Sequence, residues 1–226
     1  MTGTSALRPR MHLHARDAEN GLDLTLQSHK PPAIHGRGGI SRKGPCSSCA
    51  SHYYSFTRLR TYGTLLRRGV RYAVEGIAWM DHEYGSDELA SGQVGWDWFS
   101  LQLDDDREIM LYRLRQRDGS TTPQSSGSLI ARSGAVTHLP GSAFAIRATG
   151  SWRSPHTGAV YPSGWIVRVA GVGSLALVPV MRDQELANVG GTSYWEGAVE
   201  VRDPQTGASL GVGYVELTGY AGVLHL

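Results

Sequence analysis

The chain has 226 residues, with 22 lysines and arginines against 20 aspartates and glutamates. That balance, a formal net charge of +2, argues against a phosphate-tracking nucleic-acid groove. Hydrophobic residues make up 40%, enough for a packed core and too many for global disorder. No run approaches the roughly 20 apolar residues of a membrane helix; the most apolar, from Gly171 to Val180, is interrupted by Pro179. The 29 glycines exceed the usual share of about 7% and sit singly between apolar stretches, as turn punctuation does.

In chain order, residues 1 to about 50 are rich in His, Arg, Gly and Pro. One strand is predicted there, Gly21 to Gln27, where Leu22, Leu24 and Leu26 alternate with polar residues. Arg8, Arg10 and Arg16 precede no apolar stretch, so no secretory leader is read. Cys46 and Cys49 lie in a C-x-x-C-x-x-H run ending at His52, with His35 as a conceivable fourth ligand. A short-loop disulfide or two incidental thiols answers the same spacing as zinc does. No metal or cofactor is assigned.

From Tyr53 onward the pattern is strand after strand. Val70 to Trp79 places Val70, Tyr72, Val74 and Ala78 on one face, read as inward. Trp96 to Leu103, Glu108 to Arg115, Ser128 to Arg132 and Ala143 to Ala148 follow. Trp165 to Val169, Leu175 to Val180, Tyr194 to Val201 and Leu210 to Leu217 complete the series. Asp118-Gly119 and Gly190-Gly191 mark hairpin turns. No window keeps a helical period over three turns, so an antiparallel all-β sandwich or barrel is expected.

Chemistry concentrates in a few places. In Trp79-Met80-Asp81-His82-Glu83-Tyr84, three proton-moving groups stand together between aromatics. Alternation sends Asp81 and Glu83 to one side and His82 to the other. A carboxylate beside a histidine can set its tautomer and basicity; a solvated strand end carries the same residues. Gly95-Trp96-Asp97-Trp98-Phe99 can wall an apolar pocket, or supply barrel core with Asp97 paired to an arginine. Glu196 and Glu216 interrupt apolar strands and must face solvent, meet a cation or line a polar cavity. Gly207-Ala208-Ser209-Leu210-Gly211 spells a nucleophile elbow but precedes a strand, so it reads as a turn rather than an esterase serine.

Several of these segments, together and in order, resemble the carotenoid 1,2-hydratase (hydroxyneurosporene synthase) family, in particular the branch labelled predicted secreted hydrolases. They are Ser41-Arg42-Lys43-Gly44, Tyr53-Tyr54-Ser55-Phe56-Thr57-Arg58, Trp79 to Glu83 and Gly95 to Phe99. Trp152-Arg153-Ser154-Pro155, Tyr194 to Ala198 and Gly213 to Tyr220 complete the set. The resemblance implies two consecutive lipocalin-like β-barrels. Residues 1–61 would be a remnant of the first, a partial barrel or sheet, and residues 62–226 the second. Exposed strands of the first would then pair, pack on the second barrel or associate between chains as a homo-oligomer. The family suggests a periplasmic or secreted protein, whereas the chain as written reads as cytoplasmic.

The implied chemistry is acid-catalysed addition or removal of water on an apolar, isoprenoid- or lipid-like substrate. Asp81, His82, Glu83 and Tyr112 are the catalytic candidates. Tyr84, Trp96, Asp97, Trp98, Glu196 and Glu216 are the substrate-binding ones. The family's His-x-aromatic element falls on His82 and Tyr84. Its Tyr-x-Asp element keeps Tyr112 but has Leu114 in place of the carboxylate. The strand ending at Trp79 is expected to deliver His82 to one mouth of the second barrel. A non-catalytic carrier of a hydrophobic ligand is the alternative reading, and a carboxylesterase using Ser209 a weaker one.

Overall fold

The computed structural model describes residues 9–46, 48–85, 89–222 and 224; the first eight residues, part of the stretch read for a leader, lie outside it. Strands β1 (Arg10–Arg16), β2 (Gly21–Ser28), β3 (Ala33–Ile34), β4 (Ile40–Arg42), β5 (Ala50–Arg67) and β6 (Val70–Gly85) form one antiparallel sheet. β5 is its hub, with β6 on one side and β2, β3 and β4 along the other; β1 lies outside β2. The second sheet begins with β7 (Gln93–Leu103), β8 (Glu108–Gln116), β9 (Ser126–Ile130), β10 (Val136–Pro140) and β11 (Phe144–Ala148). A separate hairpin, β12 (Ser151–Arg153) and β13 (Val160–Pro162), follows. β14 (Trp165–Val169), β15 (Gly173–Pro179), β16 (Glu185–Val189), β17 (Thr192–Arg202) and β18 (Ser209–Leu217) complete the ten-stranded sheet.

The ten-stranded sheet runs β10-β9-β8-β7-β18-β17-β15-β14-β11, with β16 beside β17. Its end strands β10 and β11 are joined by the 3₁₀ turn Gly141–Ala143, so the sheet curls around its own core. The architecture is the expected one: antiparallel, all-β and lipocalin-like, with that turn the only helical element among the described residues. The barrel interior is filled. Phe99, Tyr161, Trp165 and Trp195 are fully buried, Trp165 lying 5.7 Å from Phe99 and 6.1 Å from Trp195 by ring centroids. Each such side chain contributes about 1.5–3 kcal/mol by leaving water, and together they exclude a ligand from this core.

Several expectations are corrected here. The strand starting at Val70 runs on through Asp81, His82 and Glu83 to Gly85 and pairs with β5. It therefore belongs to the first sheet and opens onto no mouth of the second barrel. A boundary at residues 61–62 falls inside β5, and the change of sheet comes between Gly85 and Gln93. The face carrying Val70 and Tyr72 is outward rather than inward, since the two are 52% and 50% exposed. The N-terminal third carries more strand than Gly21 to Gln27, because β1, β3 and β4 take their order from β2 and β5. Ser209 opens β18, with no helix after it, so the G-x-S-x-G run is not a nucleophile elbow.

The two sheets face each other across β5–β6 and β7–β8. β7 alternates Phe99 and Leu101 into the barrel with Trp96 and Trp98 toward the first sheet. β8 does likewise, sending Ile109 and Leu111 inward and Met110, Tyr112 and Leu114 toward Tyr53. Both of its faces are covered, which is why it reads as a nearly continuous apolar run. A buried ion cluster clamps the sheets. The fully buried Glu108 accepts from Lys30 Nζ at 2.8 Å, Arg58 Nε at 2.5 Å and Thr57 Oγ1 at 3.2 Å.

Candidate active site

One irregularity aims the site. The β5–β6 register shifts between Phe56 and Leu59, so these two residues, three apart, pack in one apolar cluster. Before the shift, Ser51, Tyr53 and Ser55 stand opposite Gly85, Glu83 and Asp81 and face β7 and β8 with them. Between the sheets lies a cleft of about 190 Å³, lined by Lys43, Glu83, Tyr84, Trp96, Trp98 and Tyr112 among others.

Within it, Lys43 Nζ donates to Glu83 Oε1 at 2.6 Å, and Ser51 Oγ donates to the same carboxylate. The ammonium also lies over the ring of Tyr112, 4.2 Å from its centroid, and 5.5 Å from that of Tyr53. The Tyr112 hydroxyl meets Ser41 Oγ and Ser126 Oγ, each at 2.9 Å. Trp98 Nε1 donates to Tyr53 Oη at 3.0 Å and Trp98 meets Trp79 edge to face. The walls are therefore fixed by hydrogen bonds at their polar ends.

Two carboxyls beside the cleft are pushed toward protonation. Glu216 accepts from Trp96 Nε1 at 3.0 Å. Its pKa rises to about 7, first through desolvation and then through the charge of Glu196, its cross-strand partner; Asp81 and Glu83 add to this and the Trp96 bond opposes it. Asp81 is also raised. Crowding around its carboxylate outweighs the bonds from Ser55, Trp79 and Tyr53, although the residue keeps solvent exposure on β6. Trp79 Nε1 reaches Asp81 Oδ1 at 2.7 Å.

Behind Asp81 runs a buried relay. Ser55 Oγ donates to Asp81 and contacts His35 Nε2 at 2.8 Å, while His35 Nδ1 meets Ser128 Oγ at 2.9 Å. A hydroxyl has one proton to give, so Ser55 must accept from His35 Nε2–H, leaving Nδ1 to accept from Ser128. Burial, aided by the Lys43 charge, holds the His35 pKa down at about 3, so the ring stays neutral.

The structure brings Glu83, Trp96, Trp98 and Tyr112 to one cleft, with Asp81 and Glu216 beside it. Three predicted residues are turned away. Tyr84 borders the cleft, but its ring lies on the far face of β6, stacked on His52 with centroids 5.2 Å apart and 5.4 Å from His82. His82 points to the opposite face of β6, exposed, its Nδ1 2.9 Å from Tyr54 Oη. Strand alternation makes this inevitable once Asp81 and Glu83 face β7. Asp97 lies fully buried on the barrel side of β7, bound by Arg113 Nη2 at 2.6 Å, Arg115 Nε at 2.9 Å and Tyr220 Oη at 3.0 Å. It neutralises two arginines instead of meeting a ligand. Glu196 reaches the site only through its charge on Glu216.

Lys43, Ser51, Ser55 and His35 are site residues the sequence reading did not assign. Lys43 and Ser55 lay inside recognised segments, but no spacing in the chain links them to Glu83 and Asp81. Cys46 and Cys49 form a disulfide, the short-loop pairing that their spacing allows. Lys43 lies just before the loop they close and is tied to it by its backbone N–H, which donates to Cys49 O at 2.8 Å.

A family described as AttH-like matches residues 1–220. The chain belongs to that family. A crystal structure assigned to AttH from Nitrosomonas europaea is 35% identical, covering 93% of this chain and 65% of its own, with a TM-score of 0.86. The crystal structure of kievitone hydratase from Nectria haematococca shares the fold at 18% identity, covering 94% of this chain and 65% of its own, with a TM-score of 0.74. This AttH-like chain thus spans about 65% of the length of either structure. No curated protein matches it. The AttH-like cleft is built from β5, β6 and Lys43, just past β4, on one side and β7–β8 on the other, so neither sheet makes it alone.

Proposed function

We propose that this protein is an acid–base enzyme that adds water to, or removes it from, an apolar unsaturated substrate. The observation that supports this most is Glu216, a carboxyl with a pKa of about 7, hydrogen-bonded to a tryptophan that walls the cleft holding the Lys43–Glu83 pair. Hydration of an alkene needs a proton donor still protonated near neutral pH, and Glu216 meets that need. As the alkene carbon takes that proton, positive charge develops at the neighbouring carbon. The faces of Trp96, Trp98 and Tyr112 offer that charge their negative quadrupoles. Glu83, held by Lys43 and Ser51, accepts one proton from the attacking water, whose oxygen forms the new C–O bond. Dehydration runs through the same steps reversed.

A cleft of about 190 Å³ is smaller than the roughly 300–1,000 Å³ of a site enclosing a drug-sized ligand. It suits the end of a long molecule, such as the terminal double bond of an isoprenoid, as in carotenoid 1,2-hydratase chemistry. That a hydratase shares the fold adds support.

The test is incubation with isoprenoid alkenes in ¹⁸O-labelled water, read as label in the alcohol. Glu216→Gln and Glu83→Gln should each lower turnover by about 10²-fold or more, and His82→Ala should leave it unchanged. Full activity in Glu216→Gln would overturn the mechanism. Displacement of a fluorescent fatty acid with no turnover of any alkene or ester would make the cleft that of a carrier.

A further inference from the structure

Among the described strands β6 pairs with β5 alone, so one of its edges is open along its length. From Val70 to Gly76 every residue is exposed except the half-buried Val74. The direction of the open hydrogen-bonding groups follows from the turn. Arg68 and Gly69 both have positive φ, 50° and 77°, the signature of a two-residue type I′ hairpin closed by Arg67 and Val70. Val70, Tyr72 and Val74 therefore turn their N–H and C=O groups to β5. Arg71, Ala73 and Glu75 turn theirs outward. An exposed, regular edge with unpaired backbone groups is a template for another strand.

We infer that the partner is a second copy of this chain, paired antiparallel β6 to β6 across a two-fold axis at Ala73. The side chains choose both the occupant and the register. Centred on Ala73, each Arg71 stands opposite the Glu75 of the other copy, and each Tyr72 opposite a Val74. Both are favourable cross-strand pairs, opposite charges on one face and aromatic on β-branched on the other. Centring at Arg71 or Glu75 sets like charges against each other, and centring at Tyr72 or Val74 leaves Arg71 and Glu75 without one another. A two-fold contact uses the same patch twice, so a strand complementary to its own reverse is what such an interface needs.

The opposite edge of the same sheet makes the contrast. β1 reads Arg10-Met11-His12-Leu13-His14-Ala15-Arg16. Pairing it with itself about Leu13 would set Arg10 against Arg16, which repels. One edge is guarded by like charges and the other carries charges that match.

The full chain is tested by sedimentation velocity over a concentration series, where a species of twice 24.5 kDa is expected. Glu75→Arg turns both symmetry-related pairs repulsive and should weaken association about tenfold. It also removes the exposed Arg60–Glu75 contact at 3.2 Å. The double exchange of Arg71→Glu with Glu75→Arg leaves that contact broken yet restores the cross-strand match, so dimer should return. The Ala73→Cys variant should cross-link to its counterpart under mild oxidation, since hydrogen-bonded antiparallel pairs have Cα atoms about 5.5 Å apart, within disulfide reach. The Val212→Cys variant is the control, its position exposed on a strand paired on both sides. A monomer at every concentration, association indifferent to Glu75→Arg, or cross-linking of the Ala73→Cys variant no faster than that of the Val212→Cys variant would each overturn the proposal.

Discussion

Replacing Glu216 with glutamine isolates the energetic cost of the acid beside the cleft. The carboxyl has an ordinary value of 4.5 and rises to about 7 in the folded chain. Between those values the folded state binds more protons than the unfolded one, so this group lowers stability as pH climbs from 4.5 through about 7. Each pH unit corresponds to about 1.36 kcal/mol, which puts a ceiling of about 3 kcal/mol on the effect; Glu216 is only part-buried, and screening brings the expectation to about 1–2 kcal/mol. Glutamine cannot ionise, and its side-chain oxygen still accepts from Trp96 Nε1. Urea unfolding of both proteins, followed by tryptophan fluorescence, should show equal stability near pH 4.5. The variant should be ahead by about 1–2 kcal/mol at pH 8. The other carboxyls are present in both proteins and largely cancel in the difference. A stability difference that stays flat from pH 4.5 to 8 would refute the assigned proton, whatever the activity of the variant.

Lys43→Met should lower turnover about tenfold or more, because Glu83 then keeps only Ser51 as a partner and its charge is set beside two tyrosine rings uncompensated; steady-state kinetics with an alkene substrate checks it. His35→Ala should destabilise by about 2–4 kcal/mol, since Ser55 and Ser128 lose a buried partner and a cavity opens. That penalty should be full above pH 6.5 and shrink below it, because the unfolded imidazole takes up a proton that the folded one, at about 3, refuses; denaturation at several pH values shows the trend. Glu108→Gln should cost about 3–5 kcal/mol by leaving Lys30 and Arg58 without their buried counter-charge, read as a fall in the urea midpoint.

The parts of this molecule that follow from local chemistry were open to reading from the chain. Alternating apolar residues mark β2, β7 and β18, and glycines with positive φ mark turns elsewhere, Gly119 after β8 and Gly190 before β17 among them. Trp96, Trp98 and Glu83 lie in segments whose residue types point to chemistry, Tyr112 is singled out only by the family resemblance, and the four line one cleft. Period-2 alternation even separates Asp81 and Glu83 from His82.

Which of those two sides meets the other sheet is a different matter. That choice depends on the pairing of β6 with β5 instead of with the barrel, and on the extra residue between Phe56 and Leu59 that turns Ser51, Tyr53 and Ser55 the same way. Neither has a signature within a few residues of the position it controls. The same holds for Lys43 on Glu83, His35 between Ser55 and Ser128, and Asp97 between two arginines and Tyr220. Each is a contact between distant segments. Alternation tells which residues share a face, but only the long-range register of β5 against β6, and of one sheet against the other, decides what that face looks upon.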